Sequence, residues 1–482
     1  MDPYQGMSPM KLQSRWLAVV FTFVLLASSC TTRDDETSTT QAPTPTAAEV
    51  EPEAEAPEPT EPEAESDAPA PTEPEIPAET PEATDIGITE TEIRVGVIAD
   101  IDTPISPGLS QPLHDAVQAW VDTVNASGGV AGRQIVLTTY DSRLNPDEAA
   151  NMVLEACQNE FALIGAGMFV LLNPAPLIEC ADINGDPTGL PDISSLSISP
   201  GQGASPTTFS ILVSGRDFKA SEPTYNVVLY PADYVEAFLG DQTPKLLVTE
   251  PGVPGVRPGA VATSNAYAQA RGWETAGVMT VLDAAPQSEM IPVVNLIREQ
   301  GVNVVYSVSI SVAKVMAEAR VQGVDVDSIA WICTQQCFSP FFANAFGEVA
   351  DGLLTSPASL PWTDAEHPAI AQYLAAVDPM QISANGVLAF AAGKSFEELV
   401  ATIVSEHGIN GLTRASLLEH LRTGPEIAAA GIVGDGAVLG VPSKCWVTTQ
   451  LVDGAYQRVD PASPGELNCD PDIVYQVVNP TE

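Results

Sequence analysis

Histidine is scarce in this chain: four residues in 482, scattered at positions 114, 367, 407 and 420. Basic charge is scarce too. Nineteen Lys and Arg stand against 63 Asp and Glu, for a formal net charge of −44. That balance argues against nucleic acid as a partner and against docking on an anionic membrane face. No apolar run reaches the roughly 20 residues a transmembrane helix needs. Catalytic signatures are missing as well: there is no Gly-x-Ser-x-Gly, no His-Glu-x-x-His and no Walker-type loop. The glycines of Gly434-Asp435-Gly436-Ala437-Val438-Leu439-Gly440 precede no helical pattern and read as a turn before a strand.

The N-terminus carries a short apolar run instead. Lys11 and Arg15 precede WLAVVFTFVLLA, which ends in Ala27-Ser28-Ser29-Cys30. A basic start, a dozen or so apolar residues and small residues before a cut site read as an export signal. The Ala-Ser-Ser-Cys segment resembles the lipobox of bacterial lipoproteins, with Ala where Leu is commoner. That resemblance implies a lipidated Cys30, anchoring at the outer face of the cytoplasmic membrane, and contact with the membrane only through the lipid. Residues 31–85 then hold 17 acids against one Arg in a Pro-, Glu-, Ala- and Thr-rich stretch without hydrophobic periodicity. This stretch carries −16 of the charge, leaving −28 (−44 + 16) on the rest. Such a composition cannot offset the entropy of ordering, and 55 residues of extended Pro-rich chain reach at most about 170 Å. It reads as a disordered spacer, bounded at residues 31–89.

Beyond Cys30 six cysteines remain: Cys157, Cys180, Cys333, Cys337, Cys445 and Cys469. An even number in an exported chain points to disulfides, with 15 possible pairings. Neighbourhood favours Cys157–Cys180, Cys333–Cys337 and Cys445–Cys469. A metal reading of Cys333-x-x-x-Cys337 lacks the further ligands zinc requires. No metal and no cofactor is expected.

The 390 or so residues after 90 exceed one core, so two lobes are expected. Strand-length apolar runs at 93–99, 134–140, 161–167, 245–250, 277–283, 302–308 and 328–333 alternate with helical spacings. One such spacing is Leu113, Val117, Trp120, Val121 and Val124; another helix is expected over 311–322. Asn145-Pro146-x-Glu148 is a helix start, with an N-cap and Pro at the first turn. The alternation predicts an α/β fold of parallel sheets, with a ligand gathered at the carboxyl ends of the strands.

One segment is more specific. Asn125-Ala126-Ser127-Gly128-Gly129-Val130-Ala131-Gly132-Arg133 follows IRVGVIA and its helix, and leads to Tyr140-Asp141 and Asn145-Pro146. It resembles the type I periplasmic solute-binding proteins of ABC transporters, the leucine/isoleucine/valine-binding family. Ser199-Pro200-Gly201, Glu318-Ala319-Arg320-x-x-Gly323 and Val349-Ala350-Asp351-Gly352-Leu353-Leu354 resemble later segments of it. The resemblance implies two Rossmann-like lobes joined by three crossovers near 214–222, 354–362 and 438–442. Lobe one takes 90–215 plus 356–438, and lobe two takes 216–355 plus 439–482. It further implies a monomeric, non-enzymatic receptor that clamps a small organic solute and delivers it to an ABC permease. A sensor or cell-surface protein on the same fold is the alternative; an extracellular hydrolase has no positive support.

The family's ligand contacts map here onto Met168, Phe169, Gly201, Gln202 and Gly203 in lobe one. In lobe two they map near Ser309 and Ser311, where the family places an aromatic, and near Gln335 and Gln336, where it places an acid for the solute's ammonium. This chain departs from that pattern, having glutamines there and no hydroxyl at 168 or 169. Asp100, Asp102 and Glu250 are left as alternative acids. The expected solute is neutral or anionic, without a free ammonium, because an unpaired buried ammonium is costly. Phe169 and Phe338 stand as stacking walls or, more commonly for such residues, as core.

Overall fold

A computed structural model describes residues 79–103, 108–253 and 256–482. The expected export signal, Cys30 and the expected spacer up to residue 78 lie outside the described residues. Two twisted sheets organise the rest. The first contains β1 (Glu92–Ala99), β2 (Gln134–Asp141), β3 (Ala162–Ile164), β4 (Asp192–Ser197) and β5 (Thr208–Val213). These are all parallel, in the order β2-β1-β3-β4-β5. A small antiparallel sheet joins β6 (Arg216–Asp217) and β7 (Thr224–Val228) to the last strand of the chain, Val474–Val478.

The second large sheet has a parallel centre: β8 (Lys245–Glu250), β9 (Glu274–Thr280), β10 (Val304–Ser307), β11 (Ala330–Cys333) and β12 (Leu354–Thr355). The hairpin Thr448–Val452 with Ala455–Asp460 extends its β12 edge antiparallel. Three disulfides form, Cys157–Cys180, Cys333–Cys337 and Cys445–Cys469.

The parallel strands are buried on both faces, which is why they read as continuous apolar runs rather than alternating ones. In β1 every residue from Val95 to Ala99 is buried. The helix Gln111–Ala126 lays Leu113, Val117, Trp120, Val121 and Val124 against this sheet, the set its 3.6-residue period predicts. The Asn145 side chain caps the helix Pro146–Asn159 by accepting from the Asp147 and Glu148 amides.

The Asn-Ala-Ser-Gly-Gly segment has a clear structural cause. Asn125 bridges to both backbone groups of Ile135, at 2.8 Å each. Gly129 sits at φ +84°, where an added Cβ would lie 2.0 Å from the Arg133 carbonyl oxygen. Arg133 is buried, and its guanidinium donates to the carbonyls of Thr89 and Glu82.

Several boundaries differ from the sequence reading. The strand expected over 161–167 stops at Ile164, because Gly165 at φ +67° turns the chain beneath two helices. A Cβ there would meet Val117 at 2.4 Å and the Ala389 carbonyl at 3.2 Å. The strand expected over 277–283 runs Glu274–Thr280, and the one expected over 328–333 starts at Ala330.

The spacer also ends earlier than residue 89. Residues 79–89 pack on the first sheet's core: Ile88 is buried, and Asp85 accepts from the Arg414 amide at 2.7 Å. Thr84 donates to the Leu412 carbonyl. Pro and Glu content hid this docking, since the partners lie more than 300 residues downstream.

One core unites residues 88–211 with 360–439, including the 24-residue helix Ala384–His407. Two adjoining clusters gather residues from 225 to 354 with 446–477. The chain thus passes between the two lobes three times, after β5, after β12 and ahead of Cys445. No helix among the described residues is long and apolar enough to cross a membrane.

Candidate functional site

The carboxyl ends of the first sheet's strands carry a rigid polar frame. Asp100, fully buried, accepts from the Ser142 hydroxyl at 2.7 Å, the Leu144 amide at 2.8 Å and the Phe169 amide at 2.9 Å. Its carboxylate is therefore committed to holding three loops together. Gln202 is similarly committed. Its amide nitrogen donates to Asp192 and Ser194, and its carbonyl accepts from the Met168 amide and the Ser199 hydroxyl. Burial raises the Asp192 carboxyl above the usual carboxylate range despite donors from Ser194, Gln202 and Thr208.

These contacts revise the mapped first-lobe ligand set. The Met168 side chain is fully buried in a small core with Ile98, Tyr140 and Leu171. Gly201 lies against Leu171 and Gly203 against the Phe218 ring. Phe169 is half-buried and Asp102 is exposed.

At the second sheet's carboxyl ends, Ser309 and Ser311 are buried and bonded to each other at 2.8 Å. Ser309 also donates to the Asp283 carboxylate, and so does the Ser311 amide. Glu250, 1 % exposed, accepts from the Gly252 amide and the Thr280 hydroxyl, with Arg257 at 3.6 Å. It is therefore not a spare acid for a solute ammonium. Phe338 is core: buried, stacked on Trp362 at 5.1 Å and edge-on to Tyr456 at 4.7 Å.

The Cys333–Cys337 loop reaches across to the other lobe. Gln335 donates its side-chain amide to the Asn385 carbonyl oxygen at 2.6 Å, and the Phe338 carbonyl accepts from the Ala384 amide. Gln336 points into solvent.

A cavity of about 130 Å³ opens beside this loop, on the hinge side. Leu212 at the end of β5 and Ser356 after β12 form its hinge wall. Tyr230, Tyr306, Ile332, Cys333, Thr334 and Gln335 form the rest. Tyr230 is held by stacking on Trp446 at 5.7 Å and 19°. Burial pushes the Tyr306 phenol up to about 12 and the Tyr230 phenol higher, the latter with help from Tyr306, so both are neutral. Among the mapped residues only Gln335 lines this cavity; Glu250, Ser309 and Ser311 brace its surroundings or lie apart from it. Tyr306 carried no sequence signal beyond its place in a strand-like run, Ser356 fell within the crossover expected near 354–362, and Leu212 and Tyr230 carried none.

Among the described residues no group of three or more His, Cys, Asp or Glu is arranged to hold a metal ion. The family description "periplasmic binding protein" matches residues 92–455. The chain belongs to the periplasmic binding protein family. No match is found among curated protein sequences.

Solved structures share the fold of this periplasmic binding protein at low identity. A fatty acid ABC transporter substrate-binding protein from Thermomonospora curvata is similar at 16% identity and TM-score 0.54, covering 78% of this chain and 92% of that one. The branched-chain amino acid transporter substrate-binding protein LivJ from Streptococcus pneumoniae, in complex with isoleucine, is similar at 15% identity and TM-score 0.55, covering 77% and 99%. An ABC transporter substrate-binding protein from Aeropyrum pernix is similar at 15% identity and TM-score 0.59, covering 80% and 97%. The type I fold expected from the Asn-Ala-Ser-Gly-Gly segment is thus the fold observed.

Proposed function

We propose that this protein is an exported solute receptor that clamps a small organic molecule between its lobes and hands it to an ABC import permease. The observation that carries the reading is the cavity walled by both lobes, beside the Gln335–Asn385 bond that ties them. A ligand bound there would add contacts available only when the lobes are together, and so shift the population toward the closed form. Family membership supports the receptor role. The receptor works as a monomer, tethered by a lipid on Cys30 through the acidic spacer, close to its permease yet free to sample the surroundings.

Three experiments test this. A solute library screened by thermal shift will reveal ligands, since a ligand at 100 times its Kd adds about 2.7 kcal/mol. Cells lacking the gene should then lose uptake of that solute, and intact uptake refutes delivery to a permease. Separately, Cys30→Ala should move the protein from the membrane fraction to the medium; unchanged retention refutes the lipid anchor.

A further inference from the structure

The cavity beside the Cys333–Cys337 loop contains no ionisable acid or base other than two phenols. Its polar groups are Tyr230, Tyr306, Thr334, Gln335 and Ser356, all uncharged. Three of them have unused hydrogen-bonding capacity. Among the described residues neither the Tyr230 nor the Tyr306 hydroxyl has a hydrogen-bond partner, and the Thr334 hydroxyl oxygen is buried without one. Polar groups at the wall of a void that have no protein partner are free to meet a guest's polar atoms, and the two phenols are such groups. Three carboxylates at the carboxyl ends of the strands are already committed: Asp100 to three donors, Glu250 to Gly252, Thr280 and Arg257, and Asp283 to Ser309 and Ser311.

Resting on the receptor reading, we infer that this hinge-side cavity selects a compact uncharged solute, bearing a carbonyl or hydroxyl group for the Tyr230 and Tyr306 hydroxyls. Charge is rejected in both directions. An ammonium would meet no carboxylate and a carboxylate would meet no cation, and in a buried site neither loss is repaid. Leu212 and Ile332 supply apolar walls for the solute's carbon body. Size is limited as well, because a cavity near 150 Å³ holds a guest on the scale of benzene, about six or seven non-hydrogen atoms. Hydroxyls suit such a guest because each serves as donor or acceptor, and a site built to hydrogen-bond a group discriminates strongly against analogues lacking it.

The test uses a pair of probes that differ in charge and little else. δ-Valerolactam is a neutral six-membered amide; its ring-opened form, 5-aminovalerate, is a zwitterion with nearly the same atoms. Phenol and valerate extend the comparison to a second neutral body and an anion. Titration calorimetry on the chain from residue 79 is expected to show a neutral probe binding at least about tenfold more tightly than 5-aminovalerate, valerate or leucine. Tyr306→Phe and Tyr230→Phe keep the rings, and with them the packing, and should each weaken the neutral probe roughly three- to tenfold. The melting temperature of the unliganded variants should stay at the parent value, which separates lost recognition from lost folding. Tighter binding of 5-aminovalerate, valerate or leucine overturns the inference while leaving the receptor reading intact. No binding of either neutral probe at about 10 mM also overturns it. The receptor reading itself fails only if a solute library spanning all charge classes leaves the melting temperature unchanged.

Discussion

Replacing Asp85 by alanine should destabilise the folded body, although the residue follows directly on a spacer rich in Pro and Glu. Its carboxylate is 4% exposed and accepts from the Arg414 amide at 2.7 Å and the Ile183 amide at 3.3 Å. Behind it the Arg414 guanidinium is buried and donates to the carbonyls of Ala181, Cys157 and Glu160, gathering both ends of the Cys157–Cys180 loop. Burial lowers the Arg414 pKa, and Asp85 is the first of the nearby charges that oppose the shift. Alanine would thus leave the Arg414, Ile183 and Ile86 amides without this acceptor and the buried Arg414 cation without the first of its charge partners. Hydrogen bonds to a charged group contribute about 1.5–3 kcal/mol each, so the expected loss is about 3–5 kcal/mol. With an unfolding entropy near 2.1 cal/mol/K per residue over about 400 residues, this lowers the melting temperature by about 4–6 °C. Asp85→Asn keeps one acceptor and should lose about half as much. Scanning calorimetry of the chain from residue 79 reads both variants. A melting temperature within about 1 °C of the parent for Asp85→Ala would show that residues 79–89 lie against the body without being part of its cooperative unit.

The disulfides should differ in value. Closing loops of 23 and 24 residues, Cys157–Cys180 and Cys445–Cys469 are each worth about 3.4 kcal/mol in the chain-entropy model, against about 1.9 kcal/mol for the four-residue separation of Cys333–Cys337. Denaturant unfolding of the three Cys→Ala double variants checks the order, and peptide mapping without reduction checks the pairs. For the lobe-to-lobe bond, Gln335→Ala and Asn385→Ala should each raise the Kd of a solute found by screening about two- to tenfold, with a coupling near 1 kcal/mol. Additive effects would mean that the bond does not contribute to closure. His114 gives a pH dependence: burial lowers its pKa from the ordinary 6.5, so the unfolded chain binds a proton there before the folded one does. Stability should fall as pH drops through about 6.5 toward the lowered value and level off below it, and His114→Gln should flatten that part of the profile.

The alternation of apolar runs with helical spacings, and the turn chemistry of Asn125 to Arg133, were legible because local geometry decides them. A parallel strand covered on both faces must be apolar throughout, and a chain reversing over Gly129 tolerates no side chain. Disulfide partners were legible for a similar reason, the cysteines of each pair being near neighbours in sequence. The site was legible only in part. Gln335 was found because it stands where a family pattern expects an acid. Gln202 and Glu250 were candidates by position, yet their side chains are spent on Asp192, Ser194 and Met168, and on Gly252, Thr280 and Arg257.

Whether a polar side chain faces a ligand or its own scaffold depends on which groups the fold brings to it, from a few to hundreds of positions away in the chain. Asp85 meets Arg414 across 329 positions, and Gln335 meets Asn385 across 50. The cavity draws Leu212, Tyr230, Tyr306, Thr334 and Ser356 from five separate segments. Periodicity, caps and turns belong to the sequence, because each is set by residues within a few positions of one another. The unsatisfied hydroxyls, and the absence of charge around them, belong to the tertiary structure, because only packing decides which groups are left without partners.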